Sequence, residues 1–138
     1  MLKGEKMSTN KLSRDYLVDL VVNQYFANVD RHKMQPVLDC FTPDAVFTIQ
    51  SAFTDHEGRD TGIRKMFETF FATYKTSVHK DFHHVADFDN NAIASQFNVY
   101  LQEGDGKETR MSNCNFFYLE DGKFKRVYVY MSGPNVLV

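Results

Sequence analysis

Asp30 sits in a bend beside Arg31 and His32, while His83 and His84 stand side by side in a later, extended stretch, where His79 joins them only as a conceivable metal set. A carboxylate touching an imidazole fixes which ring nitrogen carries the proton and raises the ring's basicity, which makes a base effective near neutral pH. The plainer reading of Asp30 is a turn residue or a cap for the helix that follows. In a regular strand His83, Val85 and Asp87 share one side, and Phe82, His84, Ala86 and Phe88 share the other, more apolar side. Periodicity therefore favours His84 as the inward histidine. A metal is not expected: histidines four apart meet on a helix, but a strand separates them by about 13 Å. Tyr25, Tyr100 and Tyr128 are candidate donors to a ligand, although a tyrosine satisfied at the core edge is commoner. Asn113 and Asn115 share a strand face with Met111 and Phe117. Two amides among apolar groups either find structural partners or point into a polar patch of a cavity, and the cavity is the preferred reading.

These residues need elements to hold them. From about Lys11, Leu12, Tyr16, Leu17, Leu20, Val21 and Tyr25 trace one helical stripe, widened by Val18, Val22, Phe26 and Val29. A helix so apolar must be covered on more than one side. Asn28 to Lys33 breaks it, and Pro36 suits the first turn of a short second helix, about Met34 to Phe41. Thr42-Pro43-Asp44 reads as a turn, Ala45 to Phe53 as a strand, and the segment with His56 and Gly58 as a loop. Asp60 or Thr61 then caps a third helix whose face carries Ile63, Met66, Phe67, Phe70, Phe71 and Tyr74. That face is core or pocket wall, with one edge, Phe67 included, available to a ligand.

After Thr76 the pattern is extended, with strands expected at Val78 to Phe88, Ala92 to Gln102, Glu108 to Leu119 and Phe124 to Met131. Turns at Asp89-Asn90-Asn91, Glu103 to Gly106 and Glu120 to Lys123 make these an antiparallel meander. Large side chains occupy both faces of the last strands, where a sheet with one wet face would alternate. One face meets the helices and the other is expected to meet a second copy of the chain. The tail Ser132 to Val138 turns apolar at its end and is expected to cover something.

The 138 residues suit one domain, with a frayed leader over 1–10 and the domain over 11–138. The net charge of -2, with both signs interspersed, points to neither a nucleic-acid nor a membrane partner. With 13 Phe and 7 Tyr, the expected partner is a small apolar molecule. Cys40 and Cys114 show neither metal spacing nor a disulfide framework, and the N-terminus has no apolar signal core, so a cytoplasmic protein is expected.

The order of elements, three helices with a strand between the second and third and then a four-stranded meander, resembles the nuclear transport factor 2-like superfamily. In detail the chain is similar to its SnoaL-like branch. The resemblance rests on Leu38-x-x-Phe-x-Pro-Asp-Ala-Val-Phe47, Gly58 before the third helix, His83-His-Val-Ala-Asp87 and the Leu119-Glu-Asp-Gly-Lys-Phe124 hairpin. It covers roughly Tyr16 to Met131. It implies an α+β, cystatin-like cone, a curved antiparallel sheet around three N-terminal helices with an apolar pocket. The superfamily includes dehydratases, isomerases, epoxide hydrolases, polyketide cyclases and non-catalytic adaptors, so fold does not name the activity. By resemblance to the scytalone-dehydratase-like enzymes, Asp30 and His83 would form the acid–base pair. Compared with ketosteroid isomerases, the base position falls on Ile49, so steroid-type isomerisation is not expected. Their oxyanion tyrosine corresponds to Tyr25, and their second donor falls near Asn115. The function implied is cofactor-independent elimination or isomerisation of a small hydrophobic or aromatic metabolite, with His83 as base, Asp30 as orienter, and Tyr25, His84, Tyr100, Asn113, Asn115 and Phe67 around the substrate. The other reading is a ligand-binding or adaptor domain that does no chemistry.

Overall fold

Ser13 opens the first helix by accepting a hydrogen bond from the Tyr16 amide at 3.1 Å. The structure is a computed structural model that describes residues 12–138; the leader expected over 1–10 lies outside them. Helix α1 runs on through three abutting stretches, Arg14–Asp19, Leu20–Phe26 and Ala27–Asp30. The middle stretch winds as a π-helix. Its i to i+5 bonding brings residues five apart onto one face, and the pairs Leu20 with Tyr25 and Val21 with Phe26 are all buried. Just after Asp30 the helix stops. His32 takes a left-handed conformation (φ 57). The His32 amide bonds the Val29 carbonyl at 3.0 Å and the Lys33 amide bonds the Asn28 carbonyl at 2.9 Å. This is a helix stop that commonly uses glycine. Helix α2, Met34–Leu38, starts at Lys33 without a side-chain cap, so Asp30 is left free to point elsewhere.

Strand β1 spans Phe41–Ile49, earlier than the expected Ala45 to Phe53, because Phe41 already pairs with Phe124. The expected turn at Thr42 to Asp44 survives as a break in register between Phe41 and Val46. A 3-10 turn, Gln50–Ala52, and left-handed Phe53 then reverse the chain into a short strand β2, Thr54–Glu57. His56 lies in this strand, where the sequence suggests a loop. A π turn, Gly58–Ile63, leads into α3, Arg64–Thr73; Glu57 stands at the cap position of the turn and Ile63 at that of α3, neither with a side-chain cap bond, so neither Asp60 nor Thr61 caps the helix. Gly62 is required there, since a Cβ would lie 2.6 Å from the Glu57 backbone.

The meander follows as β3 Tyr74–Asp87, β4 Ala92–Glu103, β5 Glu108–Glu120 and β6 Lys123–Met131. The sheet order is β2-β1-β6-β5-β4-β3. All neighbours are antiparallel except β1 and β6, which run parallel, so the sheet is mixed. It stays open, with β2 and β3 at its edges. Its inner face packs Phe97, Leu101, Phe117, Val127 and Val129 against α1 and α3. Among the described residues no helix is long and apolar enough to cross a membrane.

One irregularity in β3 decides the site. Lys80 pairs with Asn98 and His83 with Gln96, so three steps on β3 match two on β4. Asp81 absorbs the extra residue in a left-handed conformation (φ 59), and its side chain accepts from Asn98 Nδ2 at 3.1 Å. Such a bulge inverts which residues face inward on either side of it. Before it Ser77 and His79 face the helices; after it Phe82, His84 and Ala86 do.

Candidate active site

The bulge and the helix stop bring Asp30 against His79, not His83. Asp30 Oδ1 lies 2.6 Å from His79 Nδ1. Its Oδ2 accepts from the His79 amide at 2.8 Å, and Oδ1 also accepts from Ser77 Oγ at 3.1 Å. The imidazole is one tenth exposed and the carboxylate about one fifth. The ring is stacked on Phe26 at 4.6 Å between centroids and lies 5.6 Å from Phe97. With Nδ1–H donated to Asp30, the lone pair of a neutral His79 sits on Nε2. His79 lines two spaces. One is a small cavity of about 30 Å³ inside the cone, and the other is an open surface groove of about 300 Å³ bounded by Asn23, Asp30 and Phe82.

Tyr25, Phe67, Asn113 and Asn115 also line the cavity. Tyr25 is buried among the rings of Phe26, Phe41, Phe67, Phe117 and Phe124. Burial, with the nearby Cys40 and Asp30 adding to it, pushes the Tyr25 phenol well above its ordinary value, so the hydroxyl stays a donor. Asn113 is partnered: its Oδ1 accepts from the Ser132 amide at 3.2 Å. Asn115 is 3% exposed, and its Oδ1 is buried without a partner among the described residues. Buried polar atoms are nearly always bonded, so an orphan on a cavity wall marks a place for a ligand group or a water.

Three expected site residues stand elsewhere. His83 is exposed, opposite Gln96, because the Asp81 bulge turns it to the outer side of the sheet. His84 faces inward, as periodicity suggests, but its Nδ1 bonds Ser95 Oγ at 2.8 Å and its ring stacks on Phe82. It is not among the residues lining the cavity. Tyr100 lies under the Arg110 guanidinium, 4.8 Å from ring centre to cation, also away from the cavity. The residues missed are Ser77 and His79. A signal for them exists in Lys80-Asp81, a polar pair mid-strand whose Asp is a poor strand former and tolerates the left-handed conformation a bulge needs.

The family of SnoaL-like domains matches residues 22–127. Among curated proteins none matches the sequence. Solved structures share the fold. A proposed isomerase from Bacillus subtilis aligns over 94% of this chain and 92% of its own, with TM-score 0.75 and 18% identity. A proposed polyketide cyclase from Xanthomonas campestris pv. campestris covers 85% and 90%, with TM-score 0.74 and 17% identity. An epoxide hydrolase of the LEH-like type from M. tuberculosis covers 86% and 84%, with TM-score 0.71 and 15% identity. Such identities establish the fold and leave the reaction open. Three helices, an open six-stranded mixed sheet and the match over residues 22–127 together show that the chain belongs to the SnoaL-like family of the nuclear transport factor 2-like superfamily.

Proposed function

We propose that the protein is a cofactor-independent acid–base enzyme that acts on a small apolar or aromatic metabolite by elimination or isomerisation. The observation that carries this is the 2.6 Å contact of Asp30 with His79 Nδ1, on a ring that lines the cavity. His79 Nε2 takes a proton from a substrate carbon, and the C–H electron pair becomes a double bond. In an isomerisation the imidazolium returns that proton to another carbon. In an elimination the C–O bond breaks with its electron pair, and the departing hydroxide takes the proton to leave as water. Asp30 steadies the imidazolium, and Ser77 Oγ steadies Asp30. Tyr25 and Asn115 are the donors to developing oxygen charge.

The test is turnover of a panel of small hydroxylated and halogenated ring compounds by wild type, His79→Gln and Asp30→Asn. Removing the base should lower the rate about 10²–10⁴-fold with ligand binding retained. Binding without turnover in every form would instead identify a ligand-binding domain.

We also infer a homodimer through the outer sheet face. Phe116, Tyr118 and Tyr130 are exposed there on adjacent central strands. Arg126 lies beside them with a buried Nη1 that has no partner among the described residues, and its Nε donates to Tyr128 Oη at 2.9 Å. An aromatic patch around an arginine is the composition of an interface centre.

A further inference from the structure

We propose that residues 132–138 are a displaceable plug in the mouth of the cone, and that an apolar ligand enters by taking the place of the Val136 and Leu137 side chains. This rests on the reading of the cavity as a ligand site. A space of about 30 Å³ has room for little more than water, so no organic molecule fits inside this cavity while Val136 and Leu137 line it; the open groove on the other side of His79 is a separate space. Val136 and Leu137 form part of the cavity wall and pack against the core. The tail leaves β6 after Met131 and belongs to no strand.

Two side-chain contacts hold its end. His56 Nε2 bonds the Leu137 carbonyl at 2.6 Å, and Ser51 Oγ donates to Asn135 Oδ1 at 2.5 Å. With a carbonyl as acceptor, His56 Nε2 is the donor. Both anchors come from the 3-10 turn and short strand between Ile49 and Glu57, the hairpin at the sheet's β2 edge. Nearer β6, Ser132 Oγ accepts from the Ser112 amide at 2.9 Å and the Ser132 amide donates to Asn113 Oδ1 at 3.2 Å. Residues 132–138 are thus held by packing and by single side-chain bonds, with no strand pairing of their own. Two apolar side chains that line a mostly apolar cavity can be exchanged for a ligand of the same character, without opening the sheet. The ligand that fits presents an apolar body where Val136 and Leu137 lie and a hydrogen-bond donor toward Asn115 Oδ1, which has no partner among the described residues, on the same wall.

The test uses the neutral fluorescent probe N-phenyl-1-naphthylamine, titrated into wild type, Val136→Ser, His56→Ala and a chain lacking residues 134–138. Each variant is first checked for an unchanged circular dichroism spectrum. Loss of the two apolar side chains should tighten probe binding by about tenfold or more, and loss of the single His56 bond by roughly three- to tenfold. Addition of the probe to wild type should speed hydrogen exchange at the 135–137 amides and shift the methyl resonances of Met111 and Val129 on the cavity wall. If the shortened chain does not fold, His56→Ala and Val136→Ser decide. Equal probe affinity in wild type and every folded variant would overturn the plug, as would unchanged exchange at the tip with probe bound. Because binding is read without turnover, this result is independent of whether His79→Gln abolishes the reaction.

Discussion

Three donors converge on the Asp30 carboxylate: Ser77 Oγ, the His79 amide and His79 Nδ1. Hydrogen bonds to a charged group contribute about 1.5–3 kcal/mol each, so Asp30 is held in place rather than sampling rotamers. His83 has no such role. His83→Ala should leave turnover unchanged and shift stability by no more than about 0.5 kcal/mol, measured by urea denaturation. His84 behaves differently. Burial first, then the charges of Arg14 and His83, lower its basicity below the ordinary histidine value. The folded form therefore disfavours the proton relative to the unfolded chain. The stability due to neutral His84 is fully present above the unfolded value and is lost as pH falls through the lower folded one. Thermal midpoints taken from about pH 7.5 to about pH 5.5 should fall more steeply for wild type than for His84→Asn, which keeps a partner for Ser95 Oγ but cannot protonate in that range. Equal slopes would remove His84 as the cause.

Among the elements, β3 does the most to set the site, because its bulge puts His79 and His84 on one face although they are five residues apart. In an unbulged strand an odd separation places two side chains on opposite faces. Asp81 is the residue that permits this, in a left-handed conformation that β-branched side chains avoid. Asp81→Val should destabilise by about 1–3 kcal/mol. Asp81→Gly should be near neutral in stability and keep the His79 imidazole signals of the wild type in a proton NMR spectrum. If valine were tolerated as well as glycine, the strain argument would fail. The π stretch of α1 is the partner device: it lets both Tyr25 and Phe26 face inward one turn before Asp30.

At the scale of the whole molecule the sheet has two faces with different work. The inner one carries the rings and amides of the cavity. The outer one exposes Phe116, Tyr118 and Tyr130, an arrangement suited to a second copy of the chain. Phe116→Lys with Tyr130→Glu should convert a dimer to a monomer in sedimentation velocity, with the circular dichroism spectrum unchanged. A wild type that sediments as a monomer at micromolar concentration would overturn the dimer. The dyad lies on the opposite, helix-covered face, so dimer loss should leave the Asp30–His79 pair intact and turnover at least partly retained.

Much of the architecture was legible in the residues themselves. The stripe from Leu17 to Val29, the ring-rich face of α3 and the three polar turns of the meander are local signals, written within a few residues of one another. Local signals also marked the π-widened face of α1 as needing cover, and the apolar tail end as needing something to cover. The hairpin at Gln50 to Glu57 was not legible, because a four-residue strand carries too little alternation to be told from a loop. The partner of Asp30 was legible even less. Asp30 and His79 are 49 residues apart, and which histidine arrives depends on a register that only β4 imposes on β3. One extra residue at Asp81 reverses the faces beyond it, and a period of two cannot reveal where the count is broken. Sequence alone marked Asp30 at a helix end and histidines in a later extended stretch as candidates, with a helix cap as the other reading of Asp30 and the pairing resting on the family resemblance. Tertiary structure decided that His79 meets Asp30, that His83 faces out, and that Val136 and Leu137 line the cavity, because strand register and packing are properties of neighbours distant in the chain.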